Sequence, residues 1–213
     1  MLQNIKAVFF DLDGTLIDSM HVWKDIDIEF LARFGYDLPT TLQSDIEGMA
    51  FKETAAHFKE RFLLPLTIEE IMDCWNQMAY HKYSEEIDYK PGAFAFLKML
   101  KKQGMKTCIC TSNSRELVQA VGEHIGFIPY FDEIITSCEV GAGKPAPDIY
   151  LEASSRVGIP PKECLVLEDT LAGIKAGKSA GMKVCAVEDE FTAQKRTIKK
   201  ELADYFIEDY LNF

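Results

Sequence analysis

Five short apolar runs recur along the chain, each continuous rather than alternating: "KAVFFDL" (6–12), "KTCICTS" (106–112), "DEIITSC" (132–138), "ECLVLED" (163–169) and "KVCAVED" (183–189). Alternation marks a strand with one wet face, whereas continuous runs mark strands buried on both faces of a parallel sheet. Helix-like segments fill most of the gaps between the later runs. "PGAFAFLKMLKKQG" opens with Pro91 and closes with Gly104, which predicts a helix with proline at its first position and glycine just past its last. "SRELVQAVGEHIG", "DIYLEASSRVG" and "TLAGIKAGKSAG" end in the same way on Gly126, Gly158 and Gly181. Strand and helix in alternation predict an α/β fold, a doubly wound parallel sheet of Rossmann-like type. "DYFIED" (204–209) predicts a last edge strand.

Residues 16 to about 88 break the pattern, with almost no β character. "SMHVWKDIDIEFLARFG" (19–35) and "FKETAAHFKERF" (51–62) read as amphipathic helices. Thr67 with Glu70 three residues on is a capping box, and it predicts a third helix reaching about Glu86. The sequence thus divides into a core of residues 1–15 and 88–213 and a small helical cap domain of residues 16–87, inserted after the first strand. Ligands of open α/β sheets bind outside the carboxyl ends of the strands. An insertion at that point is placed as a lid over whatever the first strand's end does.

Composition removes several classes of function. The 213 residues carry a net charge of −11, and an acidic surface repels nucleic acid and anionic membranes. It does not exclude an anionic small substrate, because a few local cations or a metal reverse the sign inside a cleft. Cys74, Cys108, Cys110, Cys138, Cys164 and Cys185 form no CxxC pair, and five of the six lie in apolar runs that read as core strands. Reduced buried thiols of a cytoplasmic protein are the expectation. No apolar run reaches the ~18 residues a membrane helix needs, and the first residues lack the pattern of a signal peptide. No obligate protein partner is implied. His21, His57, His81 and His124 show no metal-ligand spacing, and Lys199 and Lys200, with Lys195 and Arg196, read as a solvated helix face.

The chemistry lies at the strand ends. The first run ends in Asp11 and Asp13, the second in Thr111, Ser112 and Asn113, and the fourth in Glu168 and Asp169; Lys144 follows the third in "GAGKPAPDIY". In a parallel sheet all of these meet at one edge. Two unit charges at 4 Å repel by roughly 4 kcal/mol at an effective dielectric of 20, so four carboxylates there call for a cation. All-oxygen ligands suit a hard ion such as Mg²⁺, and hydroxyls, amides and a lysine suit a phosphoryl group. Asp11 can then act as a nucleophile on phosphorus and Asp13 as the acid and base for the leaving group and the water.

The motifs resemble a known family. "DLDGT" (11–15) matches the DxDxT signature of the haloacid dehalogenase superfamily, and "CTSNS", "GKPAPDIY" and "LVLEDTLAGIKAG" resemble its second, third and fourth motifs, in order and across the whole chain. The "KPAPDIY" and "EDTLAGI" strings are most similar to the β-phosphoglucomutase and phosphoglycolate phosphatase-like subfamily. The resemblance implies an aspartyl-phosphate on Asp11, proton transfer by Asp13, phosphate binding by Thr111 with Ser112 and Asn113, and Lys144 as the motif lysine. It also implies Mg²⁺ held by the Asp11 carboxylate, the Asp13 backbone carbonyl and Asp169, with Glu168 contributing. The expected reaction is hydrolysis of a small phosphorylated metabolite. A sugar phosphomutase is the alternative, but the mutase histidine and arginine of the cap count onto Trp23 and Phe51 here, which favours hydrolysis. A receiver-domain switch is disfavoured by the insertion and by the acid at position 13. Gly48 and Lys52 are the candidate substrate-facing residues of the cap.

Overall fold

A computed structural model describes residues 1–211. In chain order the elements are β1 (Ala7–Phe10), α1 (Met20–Ala32), α2 (Leu42–Ile46), α3 (Phe51–Arg61), α4 (Ile68–Glu85), α5 (Ala93–Lys102), β2 (Lys106–Thr111), α6 (Arg115–His124), β3 (Glu133–Thr136), α7 (Ser137–Val140), α8 (Asp148–Val157), β4 (Cys164–Glu168), α9 (Leu171–Ser179), β5 (Lys183–Val187), α10 (Arg196–Leu202) and β6 (Tyr205–Ile207). The six strands form one sheet in the order β3-β2-β1-β4-β5-β6, with every pairing parallel. The order reverses between β1 and β4, the switch point where open α/β sheets hold ligands. The ladder runs one residue past β1, since Asp11 N donates to Leu167 O at 3.0 Å, and this fixes the backbone from which Asp11 projects.

The continuous apolar runs are explained by burial on both faces. Val8, Phe10, Ile109, Leu165 and Leu167 pack with Leu97, Leu117 and Val121 on one side. Phe9, Cys108, Cys110 and Val166 pack with Ile149, Tyr150, Ala153 and Ile174 on the other. Alternate strand positions thus serve opposite cores. Of the helices between β1 and β2 that precede α5, α1, α3 and α4 join the first of these cores through an aromatic cluster, and α2 joins it through Leu42. Trp75 lies 5.6 Å from Phe30 and 4.8 Å from Phe58, centroid to centroid. The capping box is formed: Glu70 N donates to Thr67 Oγ1 at 3.1 Å, and Thr67 N donates to Glu70 Oε2 at 2.7 Å.

Several details depart from the sequence expectation. Pro91 does not open α5; Gly92 does, with φ +80°, and a Cβ there would lie 2.7 Å from the Tyr210 backbone. Cys138 is exposed on α7, so four cysteines, not five, sit in core strands. The short helices α2, α7 and α10 have too few turns to show periodicity. Lys199 is not solvated but fully buried, donating to Val187 O and Thr192 Oγ1, each at 3.0 Å. Among the described residues no helix is long and apolar enough to cross a membrane.

Candidate active site

The carboxyl ends of β1, β2 and β4 and the loop before α8 bring most of the predicted residues together. Lys144 is buried and donates to three acceptors: Asp11 Oδ1 at 2.6 Å, Glu168 Oε1 at 2.5 Å and Cys110 O at 3.0 Å. An ammonium has three hydrogens, so these bonds fix its position and leave its charge as its contribution. Burial works against that charge, but Asp11 and Glu168 outweigh it and hold the lysine above its usual range. Burial likewise pushes the Asp11 carboxyl up to about 7, against the pull of Lys144.

Glu168 is turned toward the protein. Tyr150 donates to Oε1 at 2.8 Å, and Thr170 donates to Oε2 from its hydroxyl at 3.0 Å and its N–H at 3.2 Å. Asp169 is different: Thr15 Oγ1 donates to Oδ1 at 3.0 Å, while Oδ2 is buried with no partner among the described residues. Burial, then Glu168 and Asp11, raise its pKa well above the ordinary value. Gly14 faces this atom with φ +77°, and a Cβ there would stand 2.8 Å from Asp169 Oδ2. Oxygens of Asp11, Glu168 and Asp169 lie within 4.8 Å of one another. Asp11 and Asp169, the latter with an orphaned oxygen, fit a hard divalent cation, whereas Glu168, expected to contribute, spends both oxygens on Lys144, Tyr150 and Thr170.

Asp13 is clasped from both sides of the cleft. Ser19 Oγ donates to Oδ1 at 2.5 Å, the Tyr83 hydroxyl donates to the same oxygen, and Asn113 Nδ2 donates to Oδ2 at 2.9 Å. Trp23 Nε1 in turn donates to the Tyr83 hydroxyl at 2.7 Å. Asn113 is thus committed to Asp13, while its N–H donates to Thr111 Oγ1 at 3.0 Å. Ser112 Oγ donates to Gly48 O at 3.3 Å, and Phe51 N donates to Ser112 O at 3.0 Å, tying the loop before α3 to the end of β2. Gly48 needs its lack of a side chain: φ is +84°, and a Cβ would meet Lys144 O at 2.7 Å. Glu47 adds a second tie, accepting from Ala172 N at 3.2 Å and from Lys195.

Asp11, Asp13 and Lys144 border a cavity of about 290 Å³, together with Trp23, Phe51 and Asp27. Thr111, Ser112, Asn113 and Gly48 also reach it. Lys52 does not. It is exposed, with its ammonium 3.8 Å from Glu69, because one helical step turns it about 100° from the inward Phe51. Sequence reasoning missed Tyr83, which shares the buried α4 face of Ile71, Trp75 and Ala79 and so reads as core. It also missed Asp27, whose helix neighbours Ile26, Phe30 and Leu31 are core.

A model of the haloacid dehalogenase-like hydrolases matches residues 5–181. The chain belongs to this family. Over 186 residues it is 36% identical to a bifunctional riboflavin kinase/FMN phosphatase of Arabidopsis thaliana, covering 85% of this chain and 48% of that protein, so it spans about half of that relative's length. A probable pseudouridine-5'-phosphatase of Drosophila melanogaster is 30% identical, with 99% of this chain and 95% of that one covered. The hydrolase also superposes on the crystal structure of CbbY from Rhodobacter sphaeroides in complex with phosphate, at TM-score 0.86 and 25% identity, with 98% of this chain and 96% of that one covered. The Arabidopsis and Drosophila relatives both carry phosphatase names.

Asp27 gives the hydrolase a pH-dependent stability. Burial raises its carboxyl from 3.8 to about 7, opposed by the bond from Gln43. A raised acid binds its proton more tightly folded than unfolded, so the contribution of Asp27 to stability is full below about pH 4 and is lost as pH rises to about 7. Asp27→Asn removes this titration. Its melting temperature should exceed that of the wild type increasingly between pH 4 and 7 and by a constant margin above, the underlying gain in unfolding free energy being at most ~4 kcal/mol. Thermal melts of the ligand-free protein across that range check it; parallel curves would refute it.

Proposed function

We propose that the protein hydrolyses a small phosphorylated metabolite by two phosphoryl transfers, first to Asp11 and then to water. One observation carries the reading: Lys144 joins Asp11 to Glu168 near an Asp169 oxygen without a partner among the described residues, and Asp11 and Lys144 border a cavity that the inserted helices help to line. The Asp11 carboxylate attacks phosphorus, the ester P–O bond breaks, and Asp13 gives its proton to the departing oxygen. Asp13 then takes a proton from water as that water attacks the aspartyl-phosphate, releasing orthophosphate and restoring Asp11. Lys144 balances the charge on Asp11 and the phosphoryl oxygens, and Thr111 offers a hydroxyl to them. Residues 16–87 act as the cap that keeps bulk water from the intermediate.

Asp11, the Asp13 backbone carbonyl and Asp169 would hold Mg²⁺, with Glu168 behind them steering Lys144. When bound, the ion offsets charge developing on the phosphoryl oxygens. Chelation should therefore remove activity, and Mg²⁺ should restore it. Ca²⁺ should not, since it prefers more ligands at longer distance. Full turnover in chelator would remove the metal from the account.

Water rather than a sugar hydroxyl is the favoured acceptor. A phosphomutase must hold a second phosphate, and the lysines bordering the cavity, Lys144 and Lys195, are each already paired with carboxylates. Trp23 spends its N–H on Tyr83, and Phe51 is apolar. The relatives' names, FMN phosphatase and pseudouridine-5'-phosphatase, support a monophosphate ester of a hydroxylated chain bearing a ring. A screen of phosphate esters with and without Mg²⁺ tests the reading; orthophosphate release from none of them would end it. Efficient glucose 6-phosphate formation from β-glucose 1-phosphate would transfer the protein to the mutases.

A further inference from the structure

Asp27 is anomalous for its place. It sits on the buried side of α1 with Val22, Ile26, Phe30 and Leu31, and is 5% exposed. Among the described residues its one hydrogen bond comes from Gln43 Nε2 to Oδ2 at 2.8 Å. A carboxylate accepts about four hydrogen bonds, and burying one with a single neutral donor disfavours its charged form. Nothing in the fold needs it there: it caps no helix and pairs with no cation among the described residues. It does border the cavity of the candidate active site, as do Gln43, Thr40 and Ser44. The cavity therefore carries three chemistries: Asp11, Asp13 and Lys144; the aromatic faces of Trp23 and Phe51, 6.0 Å apart in an edge-on arrangement; and the oxygens of Asp27 and Gln43.

We propose that Asp27, held by Gln43, is the specificity-determining residue that accepts hydrogen bonds from the part of the substrate leaving with the ester oxygen. Among the described residues Asp27 Oδ1 and Gln43 Oε1 have no partner, and the ionised Asp27 and the amide oxygen both accept rather than donate. They select hydroxyl or ring N–H donors and repel a second phosphate or a carboxylate. The substrate class that follows is a phosphate monoester with an uncharged body, a face that lies on aromatic rings, and donors remote from the phosphate. A donor from the substrate also favours the ionised carboxylate and so relieves the burial that the empty site suffers.

The inference rests on the phosphatase reading, and one series of measurements separates the two. With Mg²⁺ present, kcat/KM is measured for wild type, Asp27→Ala and Asp27→Asn on four kinds of ester. Pseudouridine 5'-monophosphate carries ring N–H and hydroxyl donors, and sorbitol 6-phosphate carries hydroxyls only. Benzyl phosphate has a ring and an alkyl leaving group but no donor, and 3-phosphoglycerate carries an extra anion. Wild type should prefer at least one donor-bearing ester to benzyl phosphate, and which of the two it prefers tells ring N–H from hydroxyl recognition. Asp27→Ala should cut that preference at least tenfold, as loss of one or two hydrogen bonds to a charged group does, and should raise the relative rate on 3-phosphoglycerate. Asp27→Asn, which keeps the shape and melts higher near pH 8, should lose the preference too, so the loss is not one of folding. No hydrolysis of any ester by wild type would sink the phosphatase reading itself. Hydrolysis with no preference for donors, or a preference unchanged in both variants, would overturn the role of Asp27 alone.

Discussion

Asp11→Asn should lose turnover by roughly 10³-fold or more, as removal of a nucleophile does, while the protein stays folded. The amide is a poor nucleophile and a poorer metal ligand. It does not disturb the fold, because Asp11 is a strand-end residue whose ionisation burial already opposes, and because Lys144 keeps Glu168 and Cys110 O as partners. Circular dichroism and melting temperature should therefore match or exceed those of wild type. Steady-state release of orthophosphate with Mg²⁺ checks it. Activity above about one per cent in a variant of unchanged spectrum would count against Asp11 as the nucleophile.

Asp13→Ala should discriminate among leaving groups. Proton donation is typically worth ~10²–10⁴-fold, but only where the departing oxygen is basic. An alkyl ester needs that proton; p-nitrophenyl phosphate, whose leaving group is stable as an anion, hardly does. Asp13 also serves the second step, so the contrast is read in single-turnover formation of the phosphoenzyme. Tyr83→Phe keeps the ring but removes one of three donors to Asp13, and should reproduce the alkyl-selective loss at about tenfold. Equal losses on both esters in the Asp13 variant would deny it the role of leaving-group acid.

What could be read without the structure follows from where information lies in a chain. Asp11, Thr111 and Asp169 each end or follow a buried apolar run, and a parallel sheet brings the carboxyl ends of all its strands to one edge. Local patterns therefore fix a distant meeting point, and the order of the motifs fixes which groups meet. The inserted helices carry no such rule. Tyr83 reaches Asp13 across seventy positions of sequence (|i−j|=70) with nothing local to mark it. Lys52 follows the inward Phe51 in sequence, yet helical geometry faces neighbours apart. Lys199 lies in a basic run that reads as solvated, but its ammonium finds a strand carbonyl and a hydroxyl in the core. Asp27 is hidden for the opposite reason: an acid at an apolar helix position looks like a boundary residue, and only the cavity beside it gives it a purpose.

The claim on which the rest depends is that Asp11 becomes phosphorylated. Wild-type enzyme with Mg²⁺ is mixed with a phosphate ester, quenched within the first turnover, reduced with borohydride and digested. Reduction of an acyl phosphate converts its aspartate to homoserine. The account predicts homoserine at position 11, in the peptide that carries "DLDGT", only when substrate is present. Reduction at another carboxylate, or orthophosphate release with residue 11 still aspartate under every quench time, would contradict it.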